Sequence, residues 1–381
     1  MNISILSGVI FVAVFAGVIL THEFGHFIVA RLLKVEVEEF GIGLPPRITT
    51  LFRWKGTDFT LNWLPLGGFV RPKGENDPSI AGGLAAASPW TRLAVLFAGP
   101  TMNLLTAVIV FAYLFNQMGI PDYNKVQIGD VIANSPAALA GIQVNDIISS
   151  VNGQSVSDPT MLRNVIYANL DKPVTLTIQR GNETMTITTT PLSSRPQSEG
   201  ALGISMGPAM VRSGNIIEAT GYGALAVYDQ ISALVSLPAE MIRGQISPDQ
   251  GRFVGLKGIY DLFGQAVSRD IQSRQTTQTT APPSASSPSP SKPVNPQSPT
   301  YFTFQLIAML AVSIGFINLF PFPALDGGRI FFVLLELLTH RRVRPEIENY
   351  VHAAGFAILI VFMIYVNAMD FIHPAVINLP K

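Results

Sequence analysis

Residues 22–26 read His-Glu-Phe-Gly-His. On a helix His22 and His26 are one turn apart, so both imidazoles project from the same face and can share one divalent ion. Glu23 lies beside them, within reach of a water at that ion, as a general base. This residue set suits hydrolysis at zinc, which lowers the pKa of a bound water towards about 7. A five-residue pattern also arises by chance, and two polar helix residues satisfied by hydrogen bonds are the simpler alternative. The setting argues for chemistry. Phe-Val-Ala-Val-Phe-Ala-Gly-Val-Ile-Leu stands before the pattern and Phe-Ile-Val-Ala after it. Ionisable groups inside an apolar span are costly and mark function by default. With the water boundary at Arg31, a rise of about 1.5 Å per residue puts His22 about 13 Å inside.

A catalytic zinc site needs a third protein ligand. The chain has no cysteine, so that ligand is a histidine, an aspartate or a glutamate. The remaining histidines are His340, His352 and His373, and the rival carboxylate is Asp326 in Asn-Leu-Phe-Pro-Phe-Pro-Ala-Leu-Asp-Gly-Gly. Pro321 and Pro323 break a helix there, and Gly327 and Gly328 permit a tight turn. Broken backbone at membrane depth is tolerated where it lines a cavity. The first and third apolar runs cross in the same sense, which brings Asp326 to the depth of His22 and His26. His352 opens the fourth run and competes with it, and a turn-capping role is the plain alternative for Asp326. Asn318 and Asn103 are amides in apolar runs. Helix–helix hydrogen bonding accounts for Asn103, whereas Asn318 could also clamp substrate backbone or an oxyanion. Asp370 and Glu336 read as interface residues.

The elements that must position these groups follow from composition. Of 381 residues, 48% are hydrophobic and 13% charged, against about 25% charged in soluble domains. The formal net charge is zero, which gives no electrostatic case for nucleic acid. Uncharged runs cover Ile3 to Leu20, about Leu93 to Phe115, about Phe302 to Phe320 and about Val351 to Val366. Each matches the roughly 20 residues of a bilayer-spanning helix. No Lys or Arg precedes the first run, so it reads as a span and not as a secretory signal. The expected fold is a polytopic α-helical membrane protein with four transmembrane helices, a membrane-associated β-hairpin element and an inserted extracytoplasmic α/β domain. The expected divisions are helix 1 at 1–34, the β-hairpin loop at 35–75, helix 2 at 88–116, the α/β domain at 120–194, and a connector with an amphipathic helix at 200–270. A flexible linker at 271–300, helix 3 at 301–340 and helix 4 at 346–369 complete the chain. The linker expectation rests on a Gln, Thr, Ser and Pro composition that cannot bury a core. Basic residues cluster in the loops after runs 1 and 3, so those loops should be cytoplasmic. The α/β domain and both termini should then be extracytoplasmic in the cell membrane, with the site opening to the cytoplasm.

His-Glu-Phe-Gly-His in the first run, Phe-Ala-Gly-Pro-Thr-Met-Asn at 97–103 and the Asn318–Gly328 stretch, in this order, resemble the bacterial site-2 protease family of intramembrane metalloproteases. The resemblance spans most of the chain. It implies His22, His26 and Asp326 as zinc ligands, Glu23 as catalytic base, and a substrate-guiding β element near Phe40, Gly41 and Gly43. It also implies that Asn318 binds the unwound substrate strand. Residues 122–192 resemble a single PDZ domain, most tellingly in Ile-Gly-Asp-Val-Ile-Ala-Asn-Ser-Pro-Ala-Ala-Leu-Ala-Gly. The chain departs from the family at Gly255-Leu256-Lys257-Gly258, where a Gly-Pro-x-Gly turn is common. Expected partners are lipid and membrane-spanning substrates, such as an anti-sigma factor or a signal-peptide remnant. A membrane zinc peptidase acting on soluble or lipidated peptides, and a non-enzymatic adaptor holding partners through the PDZ-like domain, are the alternatives.

Overall fold

The computed structural model describes residues 3–181, 183–195, 200–244, 251–279 and 301–374. Among the described residues the chain divides into two compact units, 3–114 with 220–279 and 301–374, and 115–219.

The first unit holds the membrane-length helices. Four are long and apolar enough to cross a membrane: α1 (Ile3–Leu32), α2 (Pro89–Met118), α7 (Tyr301–Leu319) and α9 (Pro345–Ile372). At 1.5 Å per residue each is about as long as a bilayer core is thick or longer. The protein is a multi-pass membrane protein with a β element. Pro345 opens α9 with Glu346 and Glu348 in its first turn, a favourable start because proline lacks the unused N–H and acids suit the positive helix end. Helix α5 (Ile216–Ile242) contains Pro238 and leaves Ile217, Leu225, Tyr228 and Val235 exposed. Gln230 Nε2 donates to the Met309 carbonyl of α7 at 3.0 Å.

Helix α6 (Leu256–Thr279) answers the question left by Gly255 and Gly258. Asp370, fully buried near the end of α9, accepts from the Gly255 and Gly258 N–H groups at 2.8 and 2.9 Å. Asn367 Oδ1 accepts from Lys257 N at 3.1 Å. A side chain at either glycine would collide with Asp370. The missing turn is thus replaced by a carboxylate that caps the helix from another span. Asp370 is a buried capping group. Glu336 is half-buried and paired with the buried Arg92 at 2.6 Å. Helix α6 also runs into the segment expected to be a linker from residue 271, and only 280–300 of that segment fall outside the described residues.

Strands β1 (Val37–Trp54) and β2 (Thr57–Pro72) fold over on themselves. The first half of β1 pairs with both halves of β2, Phe40 lying opposite Phe59 and also Val70. The second half of β1 pairs with the first half of β2, as in Phe52 opposite Phe59. Four antiparallel ribbons result, with the 68–72 segment at one edge. The buried Glu39 carboxylate ties them, accepting from Thr60 at 2.8 Å and pairing with Arg47 at 2.7 Å and Arg71 at 2.9 Å.

The second unit is a sheet in the order β7-β6-β4-β3-β8, with β5 paired to β4. Its strands are β3 (Ile120–Val131), β4 (Ile147–Val151), β5 (Gln154–Ser155), β6 (Val174–Arg180), β7 (Glu183–Thr189) and β8 (Ile204–Val211), with short helices α3 (Pro136–Leu139) and α4 (Pro159–Ala168). Ser135 and Asp158 cap the two helices by accepting from Ala138 N and Met161 N, the expected use of Ser and Asp at that position. Val126, Ile128, Ile148, Leu162, Leu176 and Ile178 form a solvent-free core. The buried Asp146 receives Arg180 through two bonds of 2.8 and 2.7 Å. Strand β8 lies beyond the 120–194 division and belongs to the same sheet.

Candidate metal centre

Helix α1 carries His22 and His26 one turn apart, both buried. The α7 helix stops at Leu319, and the Pro321–Pro323 stretch turns the chain before α8 (Asp326–Thr339) begins on Asp326 itself. That turn is held on several sides. The Ala324 N–H donates to His352 Nδ1 of α9 at 2.9 Å. Leu325 N and Gly328 N donate to Phe322 O and Leu325 O. A side chain on Gly327 or Gly328 would enter the Phe320 or Phe322 carbonyl. Ala324 is held in the left-handed region at φ 80°, a cost of about 1 kcal/mol or more that the surrounding bonds offset. The rival ligand His352 thus sits behind the turn and supports it.

The turn delivers Asp326 to the two histidines. Asp326 Oδ2 lies 3.0 Å from His22 Nε2 and 3.3 Å from His26 Nε2, and the two Nε2 atoms are 3.1 Å apart. A tetrahedral centre with bonds of about 2.0–2.1 Å has donor–donor edges of about 3.3 Å, so the triangle fits zinc. Protonation agrees. His26 Nδ1 faces the Val95 carbonyl at 2.7 Å, and a carbonyl only accepts. In the neutral ring Nδ1 therefore carries the hydrogen and Nε2 offers its lone pair to the centre of the triangle. Asp326 Oδ2 is buried there without a well-oriented hydrogen-bond donor. Among the described residues, this is the group of histidine and acidic side chains that could hold a metal.

Helix α2 closes the fourth side. A Cβ on Gly99 would overlap His26 Nε2 and lie 2.8 Å from His22 Nε2. Gly99 therefore leaves the only space its position allows beside both ligand nitrogens. Pro100 cannot donate to the carbonyl four residues back, and in that same turn Val95 turns its carbonyl to His26. Neither Gly99 nor Val95 was singled out by type or spacing. The one available signal was their place in and beside the 97–103 motif.

Glu23 is adjacent to the triangle, and its Oε2 accepts from the Val70 N–H of β2 at 3.0 Å. The other expected residues are not drawn into the triangle. Phe40 is buried against Phe27 and Phe59. Gly41 lies under the Phe69 ring, and Gly43 has φ 82° beside the Leu64 carbonyl. Asn318 Nδ2 donates to Ile314 O of its own helix at 3.0 Å. Asn103 is fully buried.

The model of peptidase family M50 matches residues 10–362. A putative zinc metalloprotease of Clostridium perfringens is 30% identical over 364 residues, covering 94% of this chain and 97% of the relative. One of Clostridium acetobutylicum is 28% identical over 370 residues, covering 96% and 97%. The regulator of sigma-W protease RasP of Bacillus subtilis is 24% identical over 442 residues, covering 94% and 97%. With the match running from the first span into the last, the chain belongs to peptidase family M50, the site-2 proteases, and is a membrane-embedded metalloendopeptidase that uses zinc.

Proposed function

We propose that His22, His26 and Asp326 hold the zinc and that Glu23 is the general base for hydrolysis of a peptide bond in or beside a substrate's transmembrane segment. The observation that carries this reading is the meeting of three donors from α1 and α8, within 4.8 Å of one another, in a set of apolar helices. Bound zinc supplies Lewis acidity to the scissile carbonyl and to the attacking water. Glu23 takes a proton from that water and returns it to the leaving nitrogen. Val95 keeps His26 in the tautomer that leaves Nε2 unprotonated.

A helical substrate shields its own backbone, so it has to unwind. The edge of β2 around Gly68 suits pairing with an extended strand, resting on Phe40, Gly41 and Gly43 in the neighbouring ribbon. Asn318 is assigned to the substrate backbone. The 120–194 region is assigned as a PDZ-like domain on the extracytoplasmic side, where it excludes substrates with bulky external parts. Cleavage then follows an earlier extracytoplasmic cut. The Bacillus relative is by name a regulator of sigma-W, which supports a membrane-anchored anti-sigma factor as substrate class.

Zinc analysis of wild type, His22→Ala and Asp326→Asn, together with cleavage of a model transmembrane substrate, tests the ligand set. Both variants should lose zinc and activity. Glu23→Gln should keep zinc and lose proteolysis, and function surviving that change would favour an adaptor. Uncontrolled cleavage of intact substrates after deletion of 122–192 supports exclusion, and lost cleavage supports capture of a new C-terminus.

A further inference from the structure

In an antiparallel ladder a residue directs its N–H and C=O either to its partner or away from it. Val70 lies opposite Phe40, and its N–H goes to Glu23 Oε2 at 3.0 Å. It therefore points away from β1, off the edge of the sheet. Gly68, two residues back and opposite Ile42, has the same sense by the two-residue period. The outer edge of β2 thus meets α1 at the Glu23 carboxylate.

We propose that the Val70 main-chain amide is a positioning group that fixes the Glu23 carboxylate, so that the general base and the sheet edge that receives substrate are held as one body. This rests on the reading of Glu23 as base. A free glutamate side chain samples several rotamers, and ordering it costs up to about 2 kcal/mol. A charge-assisted bond to a fixed backbone donor offsets that cost before substrate arrives. With Oε2 committed to Val70, Oε1 is the oxygen assigned to take the proton of the attacking water. The strand that offers the donor is itself immobilised. Gly41 lies under the Phe69 ring, and a side chain on Gly68 would meet Leu20 of α1 and the Gly41 carbonyl. Phe40, opposite Val70, is locked between Phe27 and Phe59. Two of the three residues that sequence resemblance tied to substrate guidance, Phe40 and Gly41, thereby gain a second task, since they set the position of the strand that orients the base.

Two measurements test this. Val70→Pro removes the N–H without costing a ladder bond, a position where an edge strand accepts proline. Loss of one charge-assisted bond should lower kcat about ten- to a hundredfold, with KM within about twofold and zinc content unchanged. Val70→Ile keeps the N–H and should restore kcat to within about threefold. In metal-free protein, the residue 70 amide should exchange about tenfold or more faster in Glu23→Ala than in wild type, and stay protected in Glu23→Gln, which keeps an oxygen acceptor. The exchange result decides even where the proline variant does not fold. The proposal is overturned by a folded, zinc-loaded Val70→Pro with wild-type kcat, by a raised KM alone, or by unchanged exchange at residue 70 in Glu23→Ala. The exchange measurement involves no turnover, so its failure is separate from proteolysis by Glu23→Gln, which would remove Glu23 as the base.

Discussion

Gly99→Ala puts one methyl group where the ligand nitrogens need space. An ideal Cβ there lies 2.8 Å from His22 Nε2 and closer still to His26, against an optimal non-bonded separation of about 3.5 Å. Relief therefore asks the His22 ring to move about 0.7 Å and the His26 ring further, whereas metal–ligand distances are held to about 0.2 Å. His26 has little freedom, because its Nδ1 is tied to Val95 at 2.7 Å on the same helix that carries the new methyl. Overpacking a filled site costs about 1–3 kcal/mol, so zinc affinity should fall about ten- to a hundredfold. The assay is chelator competition on purified protein with zinc measured by elemental analysis, alongside thermal unfolding of the metal-free form. Because the space matters only to the site, the metal-free Tm should shift by no more than a few degrees. A Gly99→Ala protein with wild-type zinc affinity would refute the argument that α2 forms the fourth wall. A grossly unfolded one would show that Gly99 serves helix packing first.

Other expectations follow from the same geometry. Asp370→Ala strands two buried N–H groups at the start of α6, at about 1–3 kcal/mol each. The unfolding midpoint in detergent should fall by an amount worth about 3 kcal/mol, while the zinc content of folded protein is unchanged. Arg180→Ala leaves the buried Asp146 without its two-bond partner. It should destabilise the sheet unit by about 2–4 kcal/mol, read as faster amide exchange across β4 and β6 with exchange in α1 unaltered. The Asp171 carboxyl is held below its ordinary value of 3.8 by hydrogen bonds from the Ser193 side chain and backbone. A depressed folded value means the contribution is complete above 3.8 and is lost as pH falls through the folded value. Acidification from pH 5 to 3 should therefore loosen residues 191–195 in wild type more than in Asp171→Asn, as followed by amide exchange.

What the sequence made legible is what residue type encodes. His22 and His26 declare themselves by spacing within an apolar run, and the prolines and glycines around Asp326 mark the break that α7 and α8 display. Side chains carrying metal or proton chemistry have a code that survives without coordinates. Backbone groups have none. The Val70 N–H and the Val95 carbonyl are present at nearly every residue, and only the tertiary arrangement selects these two. Glycine is nearly as mute. Gly99, Gly255 and Gly258 matter through what would collide with a side chain there, and His26, His22, Asn367 and Asp370 among the colliding groups are remote in sequence. The misread linker has the same origin. The polar stretch after residue 271 has too little apolar surface to fold by itself, yet α6 runs into it because its start is anchored by Asp370 and its body is held by Phe263, which is buried against Phe11 of α1. Helix propagation from a fixed nucleus asks far less of each added residue than nucleation does. Local composition was therefore a fair guide to what the segment could do alone, and a poor one to where a tethered helix would stop.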